Sequence, residues 1–458
     1  MNTTRDVVVA GGGISGLACA HYLAAAGLDV SVLESSPRAG GVIRTREEHG
    51  FLSEVGPNST LESKPAIVEL VESLGLGERR IHAAAKAKKR FVLRDGHLIA
   101  LPMAPPGLLS SKLFSFGARM RILREPFVPR GGEEGESVAA FIERRFGREA
   151  ADYGIDPFVS GVYAGDATRL GVAAAFGMLV DYEREAGSVI KGAIRAMKAR
   201  RREGGGPPKM LSFDRGMRVL TDALAQGLGG RVETGAECRG IARAGDGWEV
   251  VFERNGDRHE IGARAVVVAT PAPVAAGLMD SIDAGLATSL RTLPYAPVAS
   301  VFLGYDREAV SHPLDGFGFL VPSCERRDIL GSIFSSSLFP GRAPEGRVAL
   351  TVFAGGVRRP EVVEMSDDDL VAMVTRETDL LLGIRGAPVE VRVSRWRSAI
   401  PQFVPGHEKT MERLQGLPGT VPGLYFASNY AGGISVADCV ETAARVSAEV
   451  GAALGASG

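Results

Sequence analysis

The chain has 458 residues, which is room for roughly two to four domains and for a buried cofactor. With 45% hydrophobic and 23% charged residues it has the composition of a soluble globular enzyme, and its net charge of −1 gives no reason to expect a nucleic-acid partner. The four cysteines are scattered without metal-ligand spacing, so neither disulfides nor a metal site are expected, and a reducing, cytoplasmic compartment is the expectation.

The first residues predict a strand, a helix and a second strand within about thirty residues, the length of a βαβ unit. Residues 6–10 form a β-branched run, as expected of a parallel strand buried on both faces. The helix is predicted to end at Gly27, and residues 28–34 form the second strand. A signal peptide is not indicated, because Asp6 and the glycines after residue 10 suit a first strand and turn.

Gly11, Gly13 and Gly16 form a Gly-x-Gly-x-x-Gly turn between the first strand and its helix. The first glycine allows the tight turn, the second lets the backbone approach a pyrophosphate, and the third lets helix and strand pack closely. Glu34 ends the second strand, where a carboxylate can accept hydrogen bonds from a ribose diol. The pattern predicts an adenine dinucleotide site and disfavours NADP, whose 2′-phosphate an acidic residue would repel.

A mostly helical insertion is predicted further along, after a hairpin that turns at Asp95-Gly96. Ser137 is the expected N-cap of a helix that ends at Gly147. The basic run at 198–202 is predicted to be a solvated helix end, with contact to an anionic membrane surface as the alternative.

The remaining chain returns to strands. Asn255-Gly256 marks a hairpin, residues 265–269 form a buried strand, 294–393 are rich in short strands, and a strand at 424–427 leads to a helix from Val436. The predicted fold class is α/β, with a Rossmann-type cofactor domain assembled from discontinuous segments, a mixed-sheet α+β substrate domain and the helical insertion. Their predicted extents are 1–85, 209–272 and 390–458 for the cofactor domain, 86–100 and 273–389 for the substrate domain, and 101–208 for the insertion.

Three segments identify the cofactor by resemblance. Residues 34–45, Glu-Ser-Ser-Pro-Arg-Ala-Gly-Gly-Val-Ile-Arg-Thr, resemble the second FAD fingerprint of the amine-oxidase and glutathione-reductase-like flavoproteins, and 56–59 and 425–436 resemble their later flavin contacts. The resemblance implies one FAD per chain, bound non-covalently because Cys439 lies beyond the flavin motif. It implies these cofactor-binding residues: Gly11, Gly12, Gly13, Ile14, Ser15, Gly16, Glu34, Ser35, Arg38, Gly41, Val42, Gly56, Pro57, Asn58, Ser59, Ile434, Ser435 and Val436.

Five further segments narrow the resemblance: 161–166, 316–322, 339–340, 396–402 and 438–439. Together with the FAD motifs they resemble the oxygen-dependent protoporphyrinogen oxidases and their coproporphyrinogen-oxidising relatives, over nearly the whole chain. The resemblance adds Trp396 and Cys238 to the FAD contacts, the latter as generic adenine packing. For the substrate it implies Arg90 as the cation that binds a propionate, and Phe317, Gly318, Leu320 and Phe353 as residues packed on the macrocycle.

The implied activity is the six-electron oxidation of protoporphyrinogen IX to protoporphyrin IX, with O2 reoxidising the flavin to give hydrogen peroxide, in haem or chlorophyll synthesis. No catalytic side chain is assigned, because flavin N5 accepts hydride from a meso carbon whose cation is delocalised onto the pyrroles. Catalysis is then mainly the positioning of a flat macrocycle. Asp166 and Asp438 are expected to cap helices or to form structural hydrogen bonds, and not to take part in catalysis.

Three other functions stay open on the sequence: oxidation of coproporphyrinogen III, a flavin amine oxidase, and a non-catalytic flavin-binding scaffold. Expected partners are the tetrapyrrole and O2, and a homodimer is compatible with the sequence. The insertion is a candidate for peripheral docking on the inner face of the cell membrane, through Leu108, Leu109, Leu113, Phe114 and Phe116 beside Lys112 and Arg119. Packing between helices explains the same residues equally well.

Overall fold

The computed structural model describes residues 4–102, 107, 110–202 and 206–455. A seven-stranded first sheet contains the N-terminal strand at its centre. Its strands, in spatial order, are Val232–Thr234, Val30–Glu34, Thr4–Ala10, Asp257–Val268, Gly247–Arg254 and Ala236–Ala244, with Leu424–Phe426 paired to Asp257–Val268. Val7, Val8 and Val9 are fully buried, because helices cover both faces of the parallel part.

Two groups of helices cover the first sheet. One face packs against Ile14–Ala25, Pro65–Ser73, Arg218–Leu228 and Val436–Leu454. The other packs against Ala272–Met279, Ala284–Arg291 and His407–Thr420. The predicted Rossmann-type α/β arrangement is confirmed, and residues from both ends and the middle of the chain build it.

The second sheet also has seven strands and is mixed. Its spatial order is Glu390–Pro401, Tyr295–Asp306, Arg347–Gly355, Ile329–Ile333, Gly316–Leu320, Lys89–Arg94 and His97–Ala100. The helix Asp367–Leu382 covers its outer face. The division expected from the sequence placed residue 390 onward in the cofactor domain, whereas the strand Glu390–Pro401 pairs with Tyr295–Asp306 and so moves that boundary.

Smaller elements join the two large sheets. A hairpin and a three-stranded sheet are formed by Thr45–Glu48 with Phe51–Glu54, and by Thr60–Leu61, Met210–Phe213 and Arg80–His82. The short helices are Ser335–Leu338 and Asn429–Gly432, and the 3₁₀ turns are Gly77–Arg79, Ala85–Lys88, Glu125–Phe127, Gly229–Arg231, Arg307–Ala309, Ser323–Glu325 and Pro360–Glu364.

The predicted insertion is helical in its described part. Its helices are Phe116–Leu123, Val138–Phe146, Arg148–Ala150, a π-helical turn Ala151–Ile155, Asp156–Tyr163, Val172–Ala186 and Val189–Arg202. Ser137 caps the second of these by accepting a hydrogen bond from the Ala140 amide at 3.2 Å, as predicted.

The docking residues named from the sequence are partly wrong. Leu113 and Phe114 are buried against Val92 of the second sheet, because this turn packs onto that strand. Phe116 is exposed, whereas Leu108 and Leu109 lie outside the described residues. In the described part of the chain, no helix is long and apolar enough to cross a membrane.

Candidate cofactor and substrate site

The glycine turn after the first strand is closed towards the protein and open on its other side. A Cβ on Gly16 would lie 1.9 Å from the Gly11 carbonyl oxygen, whereas a Cβ on Gly13 would meet nothing within 4 Å. Gly13 is the N-cap of the helix Ile14–Ala25, which has neither a side-chain cap nor an acidic residue in its first turn. Its first amides therefore remain available to an anion, as a phosphate site requires.

Glu34 lies beside this turn and is only 7% exposed. Its Oε2 accepts a hydrogen bond from the Gly12 amide at 2.8 Å, and its Oε1 accepts one from the Ser36 amide at 2.7 Å. An ionised carboxylate has about four acceptor positions, so these two bonds fix the group and leave capacity for ribose hydroxyls.

The loop after Glu34 packs directly on the glycine turn. The Gly40 amide donates to the Gly12 carbonyl at 2.7 Å, and a Cβ on Gly41 would lie 3.1 Å from the Gly13 Cα. Arg38 is held by a 2.7 Å bond to the Ile43 carbonyl. Val42 is apolar yet 48% exposed beside the turn, and Ser35 is exposed, so this loop presents surface that a ligand could cover.

The segment 56–59 runs beneath this loop and touches the second sheet. A Cβ on Gly56 would lie 2.2 Å from the Val42 carbonyl oxygen, so only glycine fits this crossing. The Trp396 indole donates to the Val55 carbonyl at 3.0 Å, which ties the second sheet to the segment. Pro57, Asn58 and Ser59 are half-buried.

The C-terminal segment brings a second helix N-terminus to the same end of the sheet. Ser435 caps the helix Val436–Leu454 and forms a capping box with Asp438, which confirms a structural role for that carboxylate. Cys439 contacts Ser15 in the first turn of the N-terminal helix, so the two helices begin close together. Burial raises the pKa of the Cys439 thiol to about 11, which keeps it neutral.

Two other predicted residues pack against hydrophobic cores, Cys238 as a buried residue and Ile434 as a partly buried one. Cys238 is buried in the core beside the first sheet, and burial raises the pKa of its thiol to about 12. Ile434 packs against the core of the helical insertion. Asp166 accepts hydrogen bonds from the Thr168 amide at 2.9 Å and from Arg358 at 3.0 Å, so its structural role is confirmed.

Strand register places the predicted substrate residues on one face of the second sheet. Residues directly paired across strands point to the same side. One such row is Arg90, Gly318, Ile333, Thr351, Phe302 and Arg392, and the next is Val92, Leu320, Gly331, Phe353, Ser300 and Ser394. Trp396 pairs with Val298 one row further on.

One end of this face packs against the hairpin formed by Thr45–Glu48 and Phe51–Glu54. The Phe302 ring centroid lies 5.9 Å from that of Phe51, and the Arg392 guanidinium donates to the Ser53 hydroxyl at 2.9 Å. Phe317 joins the face through a bulge at Gly318, which has a φ of +148°, and its ring centroid lies 5.5 Å from the Arg90 guanidinium carbon. Ile333 belongs to the same face and was missed by sequence reasoning, because a bulge between Ile329 and Gly331 breaks the alternation along its strand.

The helix Asp156–Tyr163 lies over this face. A Cβ on Gly161 would lie 2.3 Å from a Leu320 methyl carbon, so the helix and the sheet are in close contact there. Arg358 links the helix to the sheet domain by ion pairs with Asp156 at 2.6 Å and Asp166 at 3.0 Å. The segment 56–59 therefore lies between the loop at Val42 and this face of the second sheet.

Comparison with known proteins gives a consistent picture. Residues 14–451 match the family model of flavin-containing amine oxidoreductases. The chain is 33% identical to the mitochondrial protoporphyrinogen oxidase of Nicotiana tabacum, covering 95% of this chain and 92% of that protein. It is 28% identical to the coproporphyrinogen III oxidase of Bacillus subtilis (95% and 96% covered). A crystal structure of a candidate protoporphyrinogen oxidase from Exiguobacterium superposes with a TM-score of 0.83 at 25% identity (98% and 99% covered).

Proposed function

Because the chain belongs to the family of flavin-containing amine oxidoreductases, we propose that it oxidises protoporphyrinogen IX to protoporphyrin IX with FAD and O2. The reaction removes six electrons in three rounds and releases hydrogen peroxide, in haem or porphyrin biosynthesis. Relatives that are named protoporphyrinogen oxidase align over nearly the whole chain, and they support this choice.

The observation that carries the proposal is the sheet face opposite the dinucleotide site. Leu320, Ile333 and Phe353 give it an apolar surface, and Arg90 stands at one side of it. A flat macrocycle with apolar substituents and two propionates matches such a surface, since a guanidinium binds a carboxylate and the hydrocarbon leaves water.

FAD would supply the hydride acceptor and the reactivity with O2. The residues that fit it are the open turn at Gly13, the acceptors of Glu34, the loop at Val42, and the segments 56–59 and 434–436. We propose one FAD per chain, held without a covalent bond. The protein's own contribution is to hold the macrocycle over the cofactor and to cover it with the helix Asp156–Tyr163.

The direct test gives the purified holoenzyme each porphyrinogen and follows porphyrin fluorescence together with hydrogen peroxide. We expect protoporphyrinogen IX to be the better substrate and one peroxide to form for each two electrons removed. A strong preference for coproporphyrinogen III would instead favour the activity named for the Bacillus subtilis relative. Oxidation of amines but of neither porphyrinogen would favour an amine oxidase, and bound flavin that does not reoxidise in air would favour a non-catalytic scaffold.

Replacing Arg90 with methionine should raise KM for protoporphyrinogen about tenfold or more while changing kcat little. Hydrogen bonds to a charged partner contribute about 1.5–3 kcal/mol, and this one is made equally in the ground and transition states. Steady-state kinetics measure both constants. Lys89→Met, one residue earlier and paired with Asp315, is the matched control. An unchanged KM in Arg90→Met would remove Arg90 from the substrate site.

We also propose a peripheral position on the inner face of the cytoplasmic membrane, through the outer surface of the insertion. Phe127 is 84% exposed and Met197 50%, and the Lys191 ammonium lies 5.9 Å from the Phe127 ring centroid. Lys198 and the arginines at 200–202 lie on the same helix as Met197. Exposed apolar groups beside cations suit an anionic lipid surface.

Changing Phe127 and Met197 together to serine should lower cosedimentation with phosphatidylglycerol-containing vesicles several-fold at low salt. Leu380→Ser is the matched control, because Leu380 is 63% exposed on the helix Asp367–Leu382 of another domain. If the double variant binds vesicles as well as the Leu380→Ser control does, docking through the insertion is contradicted.

A further inference from the structure

A small cavity with both polar and apolar lining lies between the segment 56–59 and the substrate-facing side of the second sheet. Its volume is about 10 Å³, which is room for about one water molecule. Its polar lining consists of Glu54, Asn58, Ser335, Arg342 and Thr351. Asn58 belongs to a proposed cofactor segment, and Thr351 stands in the same row of the sheet as Arg90, so the cavity joins the two halves of the site.

Arg342 has a hydrogen-bond donor that no group in the described protein satisfies. The residue is only 3% exposed, and its Nη2 donates to the Ser212 hydroxyl at 2.8 Å and to the Phe213 carbonyl at 3.2 Å. Its Nη1 is buried without a partner. A buried donor of a charged group seldom remains unbonded, so this atom points to an ordered water in the cavity.

The other lining groups can supply the remaining hydrogen bonds of such a water. Asn58 uses its amide nitrogen for a 3.4 Å contact to the Gly56 carbonyl, which leaves its Oδ1 as an acceptor. The hydroxyls of Ser335 and Thr351 lie 2.9 Å apart and bond to each other. A water that accepts from Arg342 can therefore donate to Asn58 and to one of these hydroxyls.

Glu54 gives the cavity a second charge. It is buried 3.9 Å from Nη2 of Arg342, and it accepts hydrogen bonds from the Thr45 hydroxyl at 2.7 Å and the Met217 amide at 2.8 Å. We propose that Arg342 and Glu54 form a buried charge pair that sets the reduction potential of the bound flavin, acting across a single water at Asn58. Both are positioning residues, since neither is placed against the substrate.

The sign of the effect follows from electrostatics. Reduced flavin carries a negative charge near neutral pH, so a nearby buried cation stabilises it and raises the reduction potential, whereas a nearby carboxylate lowers it. Arginine stays charged at every accessible pH. Burial raises the pKa of Glu54 to about 7, although hydrogen bonds from Thr45 and Met217 and the charges of Arg342 and Arg218 lower it. The pair therefore has a charge near +1 at pH 6 and near zero at pH 8.5.

The experiment is a redox titration of the flavin-loaded protein with indicator dyes at pH 6 and pH 8.5. At pH 6, Arg342→Met should lower the equilibrium constant for flavin reduction at least tenfold against the wild type, and Glu54→Gln should match the wild type. At pH 8.5, Glu54→Gln should raise that constant at least tenfold, about 30 mV for a two-electron couple. Arg347→Met, a half-exposed arginine paired with Asp306, is the control and should change neither value.

Two results would overturn the proposal: constants within twofold of the wild type for both variants, or a shift in Glu54→Gln that is equal at the two pH values. If Arg342→Met does not fold, Glu54→Gln decides alone. The inference rests on flavin binding in the proposed function but not on the porphyrinogen. If the protein binds no flavin, both the proposed function and the charge-pair proposal are overturned. If flavin binds but the two variants leave its reduction potential unaltered, only the charge-pair proposal is overturned.

Discussion

Replacing Gly13 with aspartate should weaken FAD binding at least about 100-fold while the apoprotein remains folded. Gly13 has φ −75° and ψ −177°, a conformation open to any residue, and its Cβ would meet nothing within 4 Å. Aspartate is a favoured N-cap, so the free energy of unfolding of the apoprotein should change by only a few tenths of a kcal/mol. The new carboxylate, however, would stand where the diphosphate approaches the helix.

The loss of affinity has two sources. Two unit charges 4 Å apart repel by about 4 kcal/mol at an effective dielectric constant of 20, and every 1.4 kcal/mol corresponds to tenfold in affinity. The aspartate would also accept hydrogen bonds from the first amides of the helix, which the phosphate needs. Flavin fluorescence titration of the apoprotein gives the affinity, and thermal unfolding gives the stability.

Gly13→Asn separates charge from shape, because asparagine caps the helix in the same way without a charge. We expect its FAD affinity to lie between those of the wild type and Gly13→Asp. If Gly13→Asp bound FAD within tenfold of the wild type, the diphosphate would not lie at this turn, and the placement of the whole cofactor would have to be revised.

The cofactor side was predictable because its information is local. Gly11, Gly13 and Gly16 act within one turn, and Glu34 ends the next strand of the same βαβ unit. Each requirement, a tight turn, an uncapped helix and an acceptor at a strand end, is set by a residue type at a fixed spacing. The structure shows this turn and this acceptor together, as the spacing predicts.

The substrate side was less predictable because it depends on register and packing over long range. Residues 90, 318 and 351 share a face only through strand pairings that the sequence does not encode locally. The bulge at Gly318 breaks the alternation that would otherwise assign Phe317 to a face. Arg342 and Glu54 meet only in the folded chain, and no motif marks either residue.

One local signal within the substrate domain was overlooked. The helix Asp367–Leu382 lies within residues 294–393, which were predicted to be rich in short strands. Ser366 caps this helix, and Asp367, Asp368 and Asp369 occupy its first turn, a pattern that predicts a helix start. The helix that covers the outer face of the second sheet was therefore predictable from the residue types alone.

The helical insertion that covers the site depends on one buried ionic cluster. Arg145 is fully buried and binds the Glu125 carboxylate through Nε at 2.8 Å and through Nη2, and it also donates to Glu183 at 3.2 Å. Glu125 in turn accepts hydrogen bonds from the amides of Val189 at 2.9 Å and Ile190 at 3.2 Å. The cluster thus fixes the start of the basic helix Val189–Arg202.

The electrostatic balance of the cluster depends on both charges. Burial opposes ionisation of Glu125, but hydrogen bonds from Ser188, Arg145 and the two amides outweigh it and hold the pKa of Glu125 below its usual range. A carboxyl whose pKa is lowered on folding stabilises the fold above its unfolded pKa, and this contribution is lost as the pH falls through the folded value. The contribution of the cluster to the stability of the insertion should therefore fall in acid.

Replacing Arg145 with methionine should destabilise the insertion by about 3–5 kcal/mol, because it leaves Glu125 charged and buried without its cation. Urea unfolding at pH 7, followed by circular dichroism and by proteolysis within 110–202, measures the loss. Arg148→Met, at an exposed arginine three positions on, is the matched control and should leave the unfolding midpoint unchanged. Arg145→Met combined with Glu125→Gln should be more stable than Arg145→Met alone, since the unpaired charge is removed while an amide oxygen still accepts from the Val189 and Ile190 amides. If this double variant is no more stable, the cost of Arg145→Met comes from lost packing and lost hydrogen bonds to backbone carbonyls, and the ion pair does not stabilise the insertion over the site.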